Sequence, residues 1–217
     1  MAIRKIGVLG SGKVGEVLAD GFLKHGYDVM RGSRDPGKLA AWKQAGGARA
    51  SAGTFAETAA FGQVVVLAVK GVAAAQVVEA AGAANLAGKT VLDATNPIAE
   101  APPVNGVIRF FTDLNGSLME KLQQQVPAAH FVKAFSCVGN ALMVNPQLPG
   151  GPPTMFICGN DAGAKAEASA ILTQFGWEIS DLGAMEAARA IEPLCMLWCI
   201  PGFLRNEWVH AYKVLKK

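Results

Sequence analysis

Lys5-Ile6-Gly7-Val8-Leu9-Gly10-Ser11-Gly12-Lys13-Val14-Gly15 decides the fold. A short strand-like run passes into the pattern Gly-x-Gly-x-x-Gly. Val14, Val17, Leu18, Gly21 and Phe22 then recur at helical spacing until His25-Gly26 supplies a stop. Strand, glycine turn and helix in that order form the setting in which such a turn receives the pyrophosphate of a dinucleotide. Each glycine has its own reason: Gly10 allows the tight turn, Gly12 lets backbone N–H groups approach the anion, and Gly15 lets helix and strand pack closely. The helix start at Lys13 and Val14 then faces the anion with unpaired donors, and Ser11 lies between the first two glycines. The competing reading is a Gly-rich turn without a ligand; the regular alternation of strands and helices that follows weighs against it.

Moving outward, residues 27–31 read as the second strand, and it ends in Arg31-Gly32-Ser33-Arg34. An NAD-selective site places Asp or Glu there to accept from the ribose hydroxyls. A carboxylate would repel a 2′-phosphate, whereas a hydroxyl and a guanidinium donate to it. Ser33 and Arg34, with Lys38 one turn further on, therefore point to NADP(H). Asp35, the one acid nearby, is expected to cap the next helix.

The pattern continues with a helix near 37–44, a short third strand at 48–51, and a capping box at Thr54 and Glu57. Residues 64–69 form a β-branched run of the kind buried on both faces of a sheet. A helix at 73–82 and a fifth strand at 90–94 follow, and Asn96-Pro97 ends that strand. Residues 99–115 lack a period and read as a long loop. A second capping box at Ser117 and Glu120 opens a helix, and residues 130–135 make a sixth strand. Residues 145–153, rich in Pro and Gly, read as a surface excursion before one more β-α-β unit and mostly helical sequence to Lys217. The fold class is a Rossmann-type, doubly wound, mostly parallel α/β sheet with a small helical C-terminal extension. Residues 1–150 are expected to be the NADP-binding domain and 151–217 an extension packed on the same core.

Hydrophobic residues make up 51% of the 217 and charged residues 17%, which favours one sizeable core and excludes a disordered chain. The net charge of +3 is scattered, so no basic patch suggests nucleic acid. No long apolar run with a cleavage site opens the chain and no span nears 20 apolar residues, so a cytoplasmic protein without a membrane partner is expected. Cys137, Cys158, Cys195 and Cys199 lack metal-ligand spacing, and His25, His130 and His210 lack a hydrolytic signature. The expectation is no metal site. Trp198, Leu204, Trp208, Tyr212 and Leu215 stand at roughly helical spacing and read first as core or dimer contact, with a platform for a flavin-like ring as the sharper alternative.

With these residues in hand, the chain resembles the NADPH:coenzyme F420 oxidoreductase family and its relatives, including the reductase domain of STEAP metalloreductases. Five segments carry the resemblance: 10–15; Gly32-Ser33-Arg34 with Lys38; Asp93-Ala94-Thr95-Asn96-Pro97; Val132-Lys133-Ala134-Phe135; and Glu192-Pro193-Leu194. It implies a dimeric enzyme that passes hydride directly between NADP(H) and a deazaflavin (F420) or flavin, with no acid or base side chain among its catalytic residues. It also implies that Ser11 lies near the 2′-phosphate, that Ala68, Val69 and Asn96 line the dinucleotide path, and that Ala134 lies near the nicotinamide amide. Ser136 stands where the family commonly has Asn, and Lys70 where it often has Pro. Val69-Lys70 is similar to some pyrroline-5-carboxylate reductases and makes Lys70 a further groove candidate. Two rival readings remain: an NADPH-dependent reductase of a small imine or carbonyl, with Lys70 as general acid, and a non-catalytic NADP(H) sensor.

Overall fold

The computed structural model describes residues 4–217. Six parallel strands form one sheet in the order β3-β2-β1-β4-β5-β6. They are β1 (Lys5–Leu9), β2 (Asp28–Gly32), β3 (Ala50–Gly53), β4 (Val64–Leu67), β5 (Thr90–Asp93) and β6 (His130–Lys133). The crossovers between them carry helices α1 (Lys13–Lys24), α2 (Ala40–Gly46), α3 (Phe55–Phe61), α4 (Gly71–Ala81), α5 (Ala83–Leu86) and α6 (Leu118–Gln125). Strand order reverses between β1 and β4, so the carboxyl ends of those strands open onto the crevice where ligands of such sheets bind.

The central strands are buried on both faces, as their unbroken apolar sequence requires. Along β4, Val64 and Val66 join the apolar layer that holds Phe22, Leu172 and Phe175, while Val65 and Leu67 join the opposite layer with Val78, Leu122 and Phe131. Both expected capping boxes form: Thr54 Oγ1 accepts from the Glu57 N–H at 3.2 Å, and Ser117 Oγ accepts from the Glu120 N–H at 3.1 Å.

Beyond β6 the chain builds a second, two-stranded parallel sheet from β7 (Thr154–Ile157) and β8 (Glu178–Asp181), joined by α7 (Ala162–Gln174). Asp161 caps α7, accepting from the Ala164 N–H at 2.7 Å. The Lys133 N–H donates to the Cys158 carbonyl at 3.0 Å, an isolated antiparallel bridge that ties this unit to β6. Helices α8 (Ala188–Ile191) and α9 (Leu194–Arg205) close the fold.

Several local expectations shift. The third strand begins at Ala50, not Ala48, and the helix expected at 37–44 divides into a 3-10 turn at Pro36–Leu39 followed by α2. The expected helical course to Lys217 stops at Arg205: Asn206 takes a left-handed φ of 58° and returns its N–H to Gly202 O at 2.9 Å. The Trp208 ring then packs against Gly202, where a side chain would collide with it. The tail runs back beside β7, with the Thr154 N–H donating to the Tyr212 carbonyl at 2.9 Å. The aromatic spacing thus belongs to a fold-back, in which Trp198 is buried with Cys195, Cys199 and Ile108 and Trp208 packs against it. Contrary to the sequence reading, the 21 residues Met185–Arg205 are long and apolar enough to cross a bilayer by length and composition. Here they interlock with the core through Glu192, Cys195 and Trp198.

That interlock is ionic. The Lys133 ammonium, fully buried, lies 2.6 Å from Asp93 Oδ2 and 2.8 Å from Glu192 Oε1, and donates to the Thr95 carbonyl at 2.9 Å. Glu192 also accepts from the Leu118 and Met119 N–H groups at 2.9 and 3.0 Å, so the unpaired donors of α6 offset the excess negative charge. Burial opposes the charge on Lys133, but Asp93 and Glu192 outweigh it and hold the pKa above the ordinary 10.5. Lys133→Met should cost about 3–5 kcal/mol in urea unfolding, because two carboxylates stay buried without their cation. Since folding raises this pKa, the contribution is complete below pH 10.5 and is lost as pH climbs through the folded value. Unfolding curves taken from neutral to strongly alkaline pH should show that loss in the wild type and not in Lys133→Met.

Candidate dinucleotide site

A groove of about 660 Å³ runs across the carboxyl ends of the strands on either side of the reversal. The glycine turn forms one wall. Gly10 has φ +150°, and a Cβ there would strike the Ala68 carbonyl; a Cβ on Gly15 would lie 2.6 Å from the Gly10 carbonyl. Gly12 differs, because nothing lies within 4 Å of where its Cβ would be. Two glycines are therefore demanded by the protein's own packing. The middle one faces open space at the start of α1, whose first N–H groups have no side-chain cap. An anion fits that position.

Of the fourteen residues singled out from the sequence, Ser11, Gly12, Lys13, Val14, Ser33, Arg34, Lys38, Ala68, Val69 and Lys70 line this one groove. Gly10 and Gly15 stand behind its wall. Asn96 and Ala134 do not line it: Ala134 is fully buried, and Asn96 is half-buried beyond the groove's end. The Asn96 amide donates to the Ser136 carbonyl at 3.0 Å while the Ser136 hydroxyl donates to Asn96 Oδ1. Ser136 thus pins the loop after β6 to the end of β5. Phe135 beside it is held at φ 59°, an uncommon backbone for a bulky residue, with its N–H on Met155 Sδ at 3.1 Å.

At the other end, the Asp35 N–H donates to Ser33 Oγ at 3.2 Å, leaving the Ser33 hydroxyl proton to be given elsewhere. Asp35 itself caps the following turn through the Gly37 N–H at 3.1 Å. Arg34 and Lys38 are exposed, and among the described residues neither pairs with a carboxylate. One hydroxyl and two cations thus converge where β2 ends. Lys13 is differently engaged, 2.8 Å from Glu16, and that hydrogen bond and charge hold the Glu16 carboxyl below its usual range.

Sequence reasoning missed several contributors. Phe55 at the start of α3 and Gln76 and Ala80 on α4 also line the groove, and their helical phase was the only signal available. Arg31 is buried at 1% exposure behind the turn, its Nη2 donating to the Gly12 carbonyl at 3.2 Å. The Cys137 thiol, one residue past Ser136, is pushed up to about 12 by burial, so it is not a thiolate at neutral pH. Among the described residues no cluster of His, Cys, Asp or Glu is arranged to hold a metal.

Known proteins resemble this chain. The family described as NADP oxidoreductase, coenzyme F420-dependent, matches residues 5–97. A crystal structure described as a candidate F420-dependent NADP reductase from Arthrobacter sp. FB24 is 31% identical. It superposes with a TM-score of 0.91 over 99% of this chain and 100% of that one. The metalloreductase STEAP3 of Rattus norvegicus is 30% identical over 92% of this chain, which spans 39% of that protein's length. An imine reductase from Pseudomonas sp., at 18% identity and TM-score 0.66 over 90% of this chain and 60% of its own, shares the fold alone. The chain belongs to the coenzyme F420-dependent NADP oxidoreductase family, a family of NADP-dependent oxidoreductases.

Proposed function

We propose that the chain transfers hydride between NADP(H) and a deazaflavin such as F420, or a flavin. The observation that carries the reading is the convergence of Ser33, Arg34 and Lys38 at the end of β2, in one groove with the open face of Gly12. A monoester phosphate on the adenosine ribose meets donors there and no ion-paired competitor. Bound NADPH supplies the hydride from its nicotinamide ring. The chain's part is positional: the α1 N-terminus and the turn receive the pyrophosphate, Val69 and Ala68 guide the dinucleotide, and Asn96 with Ala134 and Ser136 shapes the far end. Fixing two rings face to face lowers the barrier by removing translational and rotational freedom.

The titratable side chains lining the groove are Lys13, Arg34, Asp35, Lys38 and Lys70, and all but Lys70 gather at the glycine turn and the end of β2. Direct hydride passage to a ring acceptor needs no proton donor at the far end, which favours the deazaflavin or flavin. Lys70, exposed at the groove's edge, is what keeps the imine or carbonyl reading alive. The likeness to the Arthrobacter structure supports the former.

The double variant Ser33→Asp, Arg34→Ala should weaken NADPH binding about a hundredfold and change NADH binding by less than about threefold, measured by fluorescence titration. Equal losses for the two cofactors would remove the phosphate assignment. In an absorbance assay of NADPH oxidation against F420, FMN, FAD, ferric chelates and cyclic imines, turnover should depend on a deazaflavin or flavin. With saturating NADPH, Lys70→Ala should keep that turnover within about threefold. Abolished turnover with NADPH binding intact would favour the imine reading. Tight NADPH binding without oxidation by any acceptor would make the protein a sensor.

A further inference from the structure

Arg31 is the largest fully buried side chain in the structure and a cation. Among the described residues no carboxylate approaches within ion-pairing distance. Its guanidinium lies over the Trp42 ring, 5.0 Å from the ring centre, and Trp42 is fixed in turn by Nε1 donating to Asp20 Oδ1 at 2.7 Å. Its Nε finds no hydrogen-bond partner. Burial lowers its pKa from the usual guanidinium value, and the more distant carboxylates of Glu16 and Asp20 oppose that only in part. A buried, incompletely partnered charge is costly, so its retention calls for a physical return.

The side chain's contacts suggest what that return is. Arg31 projects from the carboxyl-terminal half of β2, opposite Val8 of β1, and its Nη2 reaches two carbonyls of the turn, Gly12 at 3.2 Å and Gly10 at 3.5 Å. In a trans peptide the N–H points opposite the C=O. The Gly12 carbonyl also accepts from the Glu16 N–H at 3.0 Å, so Arg31 and the first turn of α1 hold it together. With both carbonyls drawn behind the wall, the N–H groups of the same two peptides, on the groove-lining Ser11 and Lys13, point away from Arg31. Arg31 does not line that groove. We propose that Arg31 is a positioning residue for the pyrophosphate: it orients the Ser11 and Lys13 N–H groups toward the anion and supplies positive potential from behind the turn. This rests on the NADP(H) reading above.

Three ligands separate the turn from the 2′-phosphate corner. NADPH and adenosine 2′,5′-bisphosphate both place phosphate at the turn, whereas adenosine 2′-monophosphate reaches only Ser33, Arg34 and Lys38. In calorimetric titrations, Arg31→Met should weaken the first two roughly tenfold and leave the third within about twofold. Arg31→Lys keeps the charge but reaches fewer carbonyls, and should give a smaller loss confined to the same two ligands. It also carries the test should Arg31→Met fail to fold. A role limited to fold stability would lower the melting temperature without separating the ligands. If the wild type binds all three and the variants weaken them alike, or weaken none, the role of Arg31 is overturned. If the wild type binds neither NADPH nor the 2′-monophosphate, the cofactor reading itself falls.

Discussion

One ammonium group, cut off from water, holds the functional end of this molecule together. Lys133 on β6 meets Asp93 at the end of β5 and Glu192 between α8 and α9, and Glu192 also fastens the first turn of α6. Taking three charges out of water is unfavourable by itself. The arrangement is tolerable because the charges pair with one another and most of their polar atoms find hydrogen-bond partners. Asp93 Oδ1 accepts from the Thr95 N–H and hydroxyl at 2.9 and 2.6 Å, Lys133 adds the Thr95 carbonyl, and the α6 donors absorb the surplus negative charge. The ends of two neighbouring strands, and the loop carrying Thr95 and Asn96, are thus locked to the C-terminal helices. The apolar stretch 185–205 stays with the sheet through the same residue.

The two ends of the groove consequently work by different physics. Where β2 ends, exposed cations and a hydroxyl stand ready for a phosphate, an attraction that salt will screen. Beyond its far end the surroundings are fixed and largely neutral: buried Ala134, the Asn96–Ser136 pair and a strained Phe135 backbone follow directly in the chain on Lys133 and Thr95 of the ion cluster. Exposed, hydrated charge suits recognition of a dianion. A rigid frame suits alignment of rings, where a displacement of about an ångström changes rates by orders of magnitude.

Much of this was legible in the sequence because the signals are local. The glycine turn, the β-branched strand at 64–67 and the capping residues Asp35, Thr54 and Ser117 each act within a few neighbours, and each stands where its chemistry suggested. Ten of the fourteen candidate site residues come together in one groove for the same reason: they follow the carboxyl ends of β1, β2 and β4, which are neighbours in the sheet. What escaped depends on distance in the chain. Asp93, Lys133 and Glu192 were visible only as fragments of family likeness, and nothing in spacing says that they meet. Arg31 reads as one more cation in a basic stretch until its burial is known. The tail's departure from helix hangs on Asn206 and on the contact of Trp208 with Gly202, a packing event that periodicity does not encode.

The central claim is that the groove beside Gly12 holds NADP(H) with its 2′-phosphate at the end of β2. A crystal structure of the protein with NADP⁺ tests it directly. The expected result is a phosphate within hydrogen-bond distance of Ser33 Oγ and the Arg34 guanidinium, with the pyrophosphate over the N-terminus of α1. A dinucleotide bound elsewhere, or one whose 2′-phosphate points to solvent away from Ser33 and Arg34, would contradict it.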